Sequence, residues 1–233
     1  MRVEAVACRA CFRRRPRRRA LLCPRNCRLA SAATGERGVR GAADDEIVAV
    51  LQGMLKTHRL KLQPHQTRLS EKLRDAQFPL YLYWGMGSGK SIGGILTIAA
   101  FLEDGTKGLV ICDKSVKTQW SGEVQKFFGD KTDRVVICHY EELDRDDAVD
   151  PRDYAVTVVD EAQRFRNAWH IQSQRMLHWV ECIHRSPRVV FLSGTPLVHD
   201  PDVEMDAFRR LMRVSDDVEL AGRVCFYDPR LDE

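Results

Sequence analysis

Leu80-Tyr81-Leu82-Tyr83-Trp84-Gly85-Met86-Gly87-Ser88-Gly89-Lys90-Ser91 is the stretch on which the fold turns. An apolar run of strand character breaks at a glycine-rich turn, and Lys90 then opens an amphipathic pattern that reads as a helix to Glu103. Gly87 and Gly89 let the backbone turn its N–H groups inward without Cβ obstruction, so the turn can cradle an anion. The helix that follows points its positive end at the same spot. Lys90 can reach terminal phosphates, and the Ser91 hydroxyl suits a magnesium ion. The common phosphate-loop pattern G-x-x-x-x-G-K-[ST] asks for glycine where this chain has Trp84, and its glycines fall at Gly85, Gly87 and Gly89 instead. The plain alternative is a glycine-rich turn ahead of a helix. The Gly-Lys-Ser ending between strand and helix argues against it.

Downstream the pattern repeats. Strands are expected at Gly108–Cys112, Arg134–His139, Ala155–Val159 and Arg188–Leu192, and helices at Val116–Phe128, Ala168–His184 and Val203–Arg213. Upstream, Ile47, Val48, Leu51, Met54 and Leu55 follow helical spacing behind Asp44 or Asp45, and a second helix carrying Leu69 and Leu73 starts after Pro64. Continuous apolar strands separated by helices imply an α/β fold, a mostly parallel sheet with helices on both faces. In such sheets ligands bind at the carboxyl ends of the strands. There the run 155–159 delivers Asp160 and Glu161, followed by Ala162 and Gln163. Asp160 would hold Mg²⁺, and Glu161 would polarise the attacking water. An acidic helix cap reads the same in isolation; the phosphate loop ahead of it makes the catalytic reading the stronger one.

Composition sets the limits. The 233 residues are 44% hydrophobic and 30% charged, ordinary for a globular chain. No apolar run approaches the ~18 residues of a membrane-spanning helix. The positive excess behind the net charge of +4 lies in the first forty residues, so any nucleic-acid contact by the remainder is local. Residues 1–43 hold Arg13-Arg14-Arg15-Pro16-Arg17-Arg18-Arg19 and two acids, Glu4 and Glu36. They read as a disordered Arg-rich tail. A nuclear-localisation or nucleic-acid-binding arm, a transit peptide, and a zinc site at Cys8, Cys11, Cys23 and Cys27 stay open. Cys112, Cys138, Cys182 and Cys225 read as small buried hydrophobes.

Further segments narrow the choice. Leu62-Gln63-Pro64-His65-Gln66 precedes the loop; Leu109-Val110-Ile111-Cys112-Asp113-Lys114-Ser115 runs on to Gln119, Trp120 and Phe127; Val136-Ile137-Cys138-His139-Tyr140-Glu141 follows. Asp160 to Gln163 leads into Arg164, Phe165, Arg166 and Asn167, and Leu192-Ser193-Gly194-Thr195-Pro196-Leu197 comes last. In order and spacing the set resembles the first RecA-like lobe of superfamily 2 helicases, in particular the Swi/Snf-type ATPases, over residues 60–212. Members are double-stranded-DNA translocases that hydrolyse ATP, with viral and phage helicases as relatives.

The resemblance implies a RecA-like P-loop NTPase lobe with ATP and Mg²⁺ as cofactors, held by Gln66 at the adenine and by Gly85, Met86, Gly87, Ser88, Gly89, Lys90 and Ser91 at the phosphates. It implies coupling of hydrolysis to movement through Gln163, Ser193 and Thr195. It implies DNA or other nucleic acid near Lys114, Ser115 and Thr118, where a lysine and hydroxyls at a strand end suit phosphate contacts. A solvated helix start is the bland reading of those lysines. Gln163 departs from the family's usual His, and Ser91 from its usual Thr. The resemblance divides the chain into a tail (1–43), an ATP-binding lobe (44–215) and a C-terminal extension (216–233). It also implies an incomplete motor, because the pattern of a second lobe with its arginine finger is not found; that lobe would come from a second polypeptide, or the chain would be a fragment of a longer gene product. A catalytically weak nucleotide- or DNA-binding module is the alternative, and a metabolite kinase a more distant one. The expected setting is a nuclear or viral nucleic-acid compartment, neither secreted nor membrane-bound.

Overall fold

A computed structural model of the chain describes residues 56–57, 61–145, 149–195 and 201–228. The Arg-rich tail, the four cysteines weighed as a zinc site and the helix expected over residues 47–55 lie outside the described residues.

The elements in chain order are α1 (Pro64–Arg74), β1 (Leu80–Trp84), α2 (Lys90–Phe101), β2 (Gly108–Cys112), α3 (Lys117–Phe128), β3 (Val135–His139), β4 (Val156–Val159), α4 (Gln174–Ile183), β5 (Val189–Ser193), α5 (Pro201–Met212), α6 (Asp217–Arg223) and β6 (Val224–Tyr227). The strands form one sheet in the order β3-β2-β4-β5-β1-β6, and every pairing is parallel. Parallel strands need long crossovers, which the helices supply. Among the described residues no helix is long and apolar enough to cross a membrane.

Side-chain alternation along each strand splits the core in two. Leu80, Leu82, Trp84, Val110, Val158 and Leu192 face a layer containing Leu69 and Leu73 of α1, Ile95 and Ile98 of α2, and Trp120 and Val124 of α3. Tyr81, Leu109, Ile111, Val159 and Phe191 face the other layer, with Trp179 and Ile183 of α4, Leu211 and Met212 of α5, and Leu220 of α6. Strands covered on both faces are buried at every position, as β2, β4 and β5 are, and so are predominantly apolar.

Two elements differ from the sequence reading. The helix expected from Ala168 starts at Gln174, because Gln172 takes a left-handed φ of 49° and Ser173 caps the new start, its side chain accepting from the Met176 N–H at 3.4 Å. The stretch read as an extension after residue 215 is built into the lobe through residue 227. Asp216 caps α6, accepting from the Glu219 N–H at 2.8 Å, and β6 pairs with β1 as the sixth strand. Val224 to Tyr227 is only four residues long, and its strand character comes from the β1 edge that it covers.

Candidate functional site

The site gathers where β1, β4 and β5 end. In the register, Tyr83 lies opposite Ser193 and Val159 opposite Phe191, so the residues following these three strands emerge on one edge of the sheet.

The glycine turn begins at Gly85, whose N–H donates to the Tyr227 carbonyl at 2.8 Å, extending the β1–β6 pairing by one bond. Trp84, in the place where the common pattern has glycine, is the last residue of β1 and is buried; an added Cβ on Gly93 of α2 would lie 2.7 Å from its ring. The indole fills the angle between strand and helix, so the turn shifts by one residue without losing its glycines where they matter. Gly87 and Gly89 have φ of 76° and 78°, values that favour glycine, and Gly89 leads directly into α2. Met86 points out and is 84% exposed. Ser88 is turned inward, and its hydroxyl donates to the Gly85 carbonyl at 2.7 Å.

α1 supports the turn from below. His65 stacks on Tyr227 at 3.7 Å between ring centroids and lies 2.9 Å from the Ser88 carbonyl through Nε2. Gln66 is buried, accepts from the Gln63 N–H at 3.0 Å and donates to the Ser88 carbonyl at 3.4 Å. Its amide therefore lies against the turn.

The Lys90 Nζ lies 3.4 Å from the Gly85 carbonyl and within 3.2 Å of where a Cβ of Gly194 would be, so the ammonium sits at the end of β5, between β1 and β4. Its charge reaches Asp160. Ser91 follows, half-buried in the first turn of α2. Asp160 is held on three sides. Its Oδ2 accepts from the Trp120 indole N–H at 2.8 Å, its Oδ1 from the Glu161 N–H at 3.0 Å, and its own N–H donates to the Ile111 carbonyl at 2.8 Å. Burial pushes the Asp160 carboxyl above the usual range; the indole bond and Lys90 act against that push.

Glu161 takes a left-handed conformation, φ 52°, ψ 46°. Its carboxylate accepts from the Gln163 amide, whose oxygen accepts from the Ser193 hydroxyl at 2.7 Å. The Thr195 N–H donates to the Ser193 hydroxyl at 3.1 Å. Gln163 in place of His thus still links the acidic pair to the end of β5, because a carboxamide can accept at one atom and donate at the other.

Lys114, Ser115 and Thr118 are exposed on the turn and first residues leading into α3. They stand apart from the Lys90–Asp160 cluster, joined to it by α3. Their neighbour Lys117 pairs with Glu142 at 2.9 Å.

The sequence reading passed over Trp120, Tyr140 and Arg164 as site residues. The Tyr140 hydroxyl donates to the Asp160 carbonyl, and Arg164 lies 4.1 Å over the Tyr140 ring while pairing with Asp113. An aromatic residue on the inward side of an element looks like core, and its polar edge carries no pattern of its own.

No protein-family model matches this chain, and no curated protein does. Solved structures do match its fold. The SWI2/SNF2 ATPase core of Sulfolobus solfataricus, in complex with dsDNA, matches at TM-score 0.51 and 22% identity over 66% of this chain and 35% of that one. The Hef helicase domain of Pyrococcus furiosus matches at TM-score 0.55 and 13% identity over 72% and 38%. A hypothetical ATP-dependent RNA helicase from Sulfolobus tokodaii matches at TM-score 0.50 and 13% identity over 74% and 56%. The chain spans between 35% and 56% of the length of these structures. The chain shares the parallel α/β, RecA-like fold of these structures.

Proposed function

We propose that this chain is the ATP-binding lobe of a nucleic-acid-dependent ATPase of the helicase and translocase kind. The observation that supports it most is the placing of Lys90, in the first turn of the helix that the glycine turn opens, at the end of β5, with Asp160 directly after the neighbouring strand β4. That is a cationic anion cradle next to a carboxylate, the arrangement phosphoryl transfer from a metal–nucleotide needs.

On this reading the backbone of the turn after Gly85 and the first turn of α2 face the phosphates, Lys90 neutralises the terminal ones, and Gln66 reads the adenine. The Ser91 hydroxyl and the Asp160 carboxylate are hard oxygen donors of the type magnesium takes, and they would hold it. When bound, the ion offsets charge on the phosphate oxygens. Glu161 accepts a proton from water as the water oxygen bonds to the γ-phosphorus. The bond from that phosphorus to the bridging oxygen breaks, and ADP and inorganic phosphate leave. Gln163 keeps the Glu161 carboxylate aimed, and Ser193 and Thr195 relay its state to the segment after β5. Lys114, Ser115 and Thr118 meet a nucleic-acid backbone, double-stranded DNA being the first candidate. An opposing lobe, from further sequence or a second polypeptide, supplies the arginine finger, worth about 10³–10⁵ in rate in phosphoryl-transfer enzymes.

The test is ATP binding and hydrolysis by the wild-type chain, with and without double-stranded DNA, beside Lys90→Ala and Glu161→Gln. Lys90→Ala should bind ATP at least about tenfold more weakly. Glu161→Gln should bind normally and lose about 10² or more in turnover. A wild-type chain with no ATP affinity at about millimolar concentration, the weak end of specific ligand binding, ends this reading. Binding without turnover under every partner condition favours the alternative, a nucleotide- or DNA-binding module of the same fold.

A further inference from the structure

Two routes run from the exposed turn at 113–118 to Asp160, and neither passes through the phosphate loop. The first is Trp120. It lies one helical turn beyond Lys117 on α3, is buried, and spends its one polar atom on Asp160 Oδ2 at 2.8 Å. The second starts at Asp113, which precedes the turn. Asp113 is paired with Arg164, Arg164 lies over the Tyr140 ring, and the Tyr140 hydroxyl donates to the Asp160 carbonyl. The carboxylate and the carbonyl of one residue are thus both tied to the segment that carries Lys114, Ser115 and Thr118.

The Trp120 ring is also boxed in. A Cβ on Gly94 of α2 would lie 2.8 Å from its Cη2 atom, so ring and helix are in contact. A shift of α3 along its axis moves the indole N–H relative to Asp160; the ring cannot swing to compensate. A core tryptophan that merely fills space would not need its N–H aimed at a carboxylate, although burying that N–H does require some acceptor.

We propose that Trp120 is a positioning residue for the magnesium-holding carboxylate of Asp160, and that with Arg164 it transmits nucleic-acid engagement at residues 113–118 to that carboxylate. The inference rests on the function proposed above. When a phosphate backbone pulls on the turn, α3 and Asp113 adjust together, and both contacts to Asp160 tighten or loosen as one. Groups that orient a metal ligand are worth about 10–100-fold in metal affinity.

The experiment is equilibrium titration of the full chain with a fluorescent N-methylanthraniloyl ATP, in EDTA, in magnesium, and in magnesium with a short DNA duplex. In the wild type, magnesium raises the affinity and the duplex changes it further. Trp120→Phe keeps the ring and loses the N–H. It should retain the EDTA affinity, lose about tenfold or more of the magnesium gain, and no longer respond to the duplex. Arg164→Gln leaves the indole bond in place; it should keep the magnesium gain and lose the duplex response. A Trp120→Phe protein with wild-type gain and response overturns the proposal. So does one whose EDTA affinity falls in parallel with its magnesium affinity, since that is general loosening of the fold. Should Trp120→Phe not fold, a wild-type duplex response in Arg164→Gln overturns it. A wild-type chain that binds the probe but is indifferent to the duplex also overturns it. A wild-type chain that binds no probe in any condition instead removes the function on which it rests.

Discussion

At the scale of single residues, the site sets function against stability. Asp160 is buried, and burial raises its carboxyl above the ordinary range. A group whose pKa rises on folding favours the native state while it is protonated and withdraws that support as pH climbs through the raised value. At neutral pH the ionised Asp160 is therefore a cost. Asp160→Asn should melt at a higher temperature than the wild type at pH 7 and show a smaller magnesium effect on nucleotide affinity; a lower melting temperature would mean that the Trp120 and Glu161 bonds outweigh burial. Gln163 gives a second residue-scale outcome. Its amide joins Glu161 to Ser193, so Gln163→Leu should leave nucleotide affinity unchanged and reduce turnover by about tenfold, the usual loss when the group orienting a functional side chain is removed. Lys90, Ser91, Asp160 and Glu161 could be singled out in the sequence because each stands in a short pattern whose chemistry asks for that residue type, and Gln163 because it follows the acidic pair. Trp120 was not, since an indole in an apolar stripe has the same letter whether or not its N–H is aimed.

At the scale of elements, α2 is the part on which the two sides of the site meet. Its Gly94 faces Trp120, Val158 and Leu192, at 2.8, 3.1 and 3.3 Å from where a Cβ would sit, and this close approach brings helix and sheet together beneath the phosphate turn. Alanine usually gains about 1 kcal/mol over glycine in a helix interior. Overpacking a full core costs about 1–3 kcal/mol. For Gly94→Ala the second effect should win, leaving a net loss of about 1 kcal/mol. For Gly122→Ala, in α3 with nothing within 4 Å, the first should stand alone and stabilise by about 0.5–1 kcal/mol. Urea denaturation of the two variants checks both signs. The same contrast explains what could be read of the elements. β1, β2 and α2 were read with their starts in place, because apolar runs and Gly-Lys-Ser mark them. The start of α4 was misplaced, because the backbone reversal at Gln172 is made by a residue with no turn preference of its own.

At the scale of the whole molecule, the sheet order was beyond the sequence, since periodicity says which segments are strands and not which lie side by side. The far face holds the clearest whole-fold prediction. His184, at the end of α4, has an Nε2 with no hydrogen-bond partner among the described residues, and burial followed by the charge of Arg213 takes its pKa down from 6.5 to about 3. Below the unfolded value the unfolded chain takes up a proton that the native state refuses, so this support is complete above pH 6.5 and drains away as pH falls toward 3. By pH 5 the loss from this one group is about 2 kcal/mol. Denaturation midpoints should fall between pH 7 and pH 5 in the wild type, and a His184→Gln variant should show a flatter profile over that interval. A last consequence follows from β6. Among the described residues Val224–Tyr227 is the final strand, yet it zips onto β1, the first, and its Tyr227 carbonyl receives the opening N–H of the glycine turn. On the ribosome, where residues appear at about 5–20 per second, the nascent lobe must hold that edge bare until Val224 has emerged. The glycine turn is synthesised long before the carbonyl that anchors it, which makes a product stalled ahead of β6 a sheet with an open, adhesive edge.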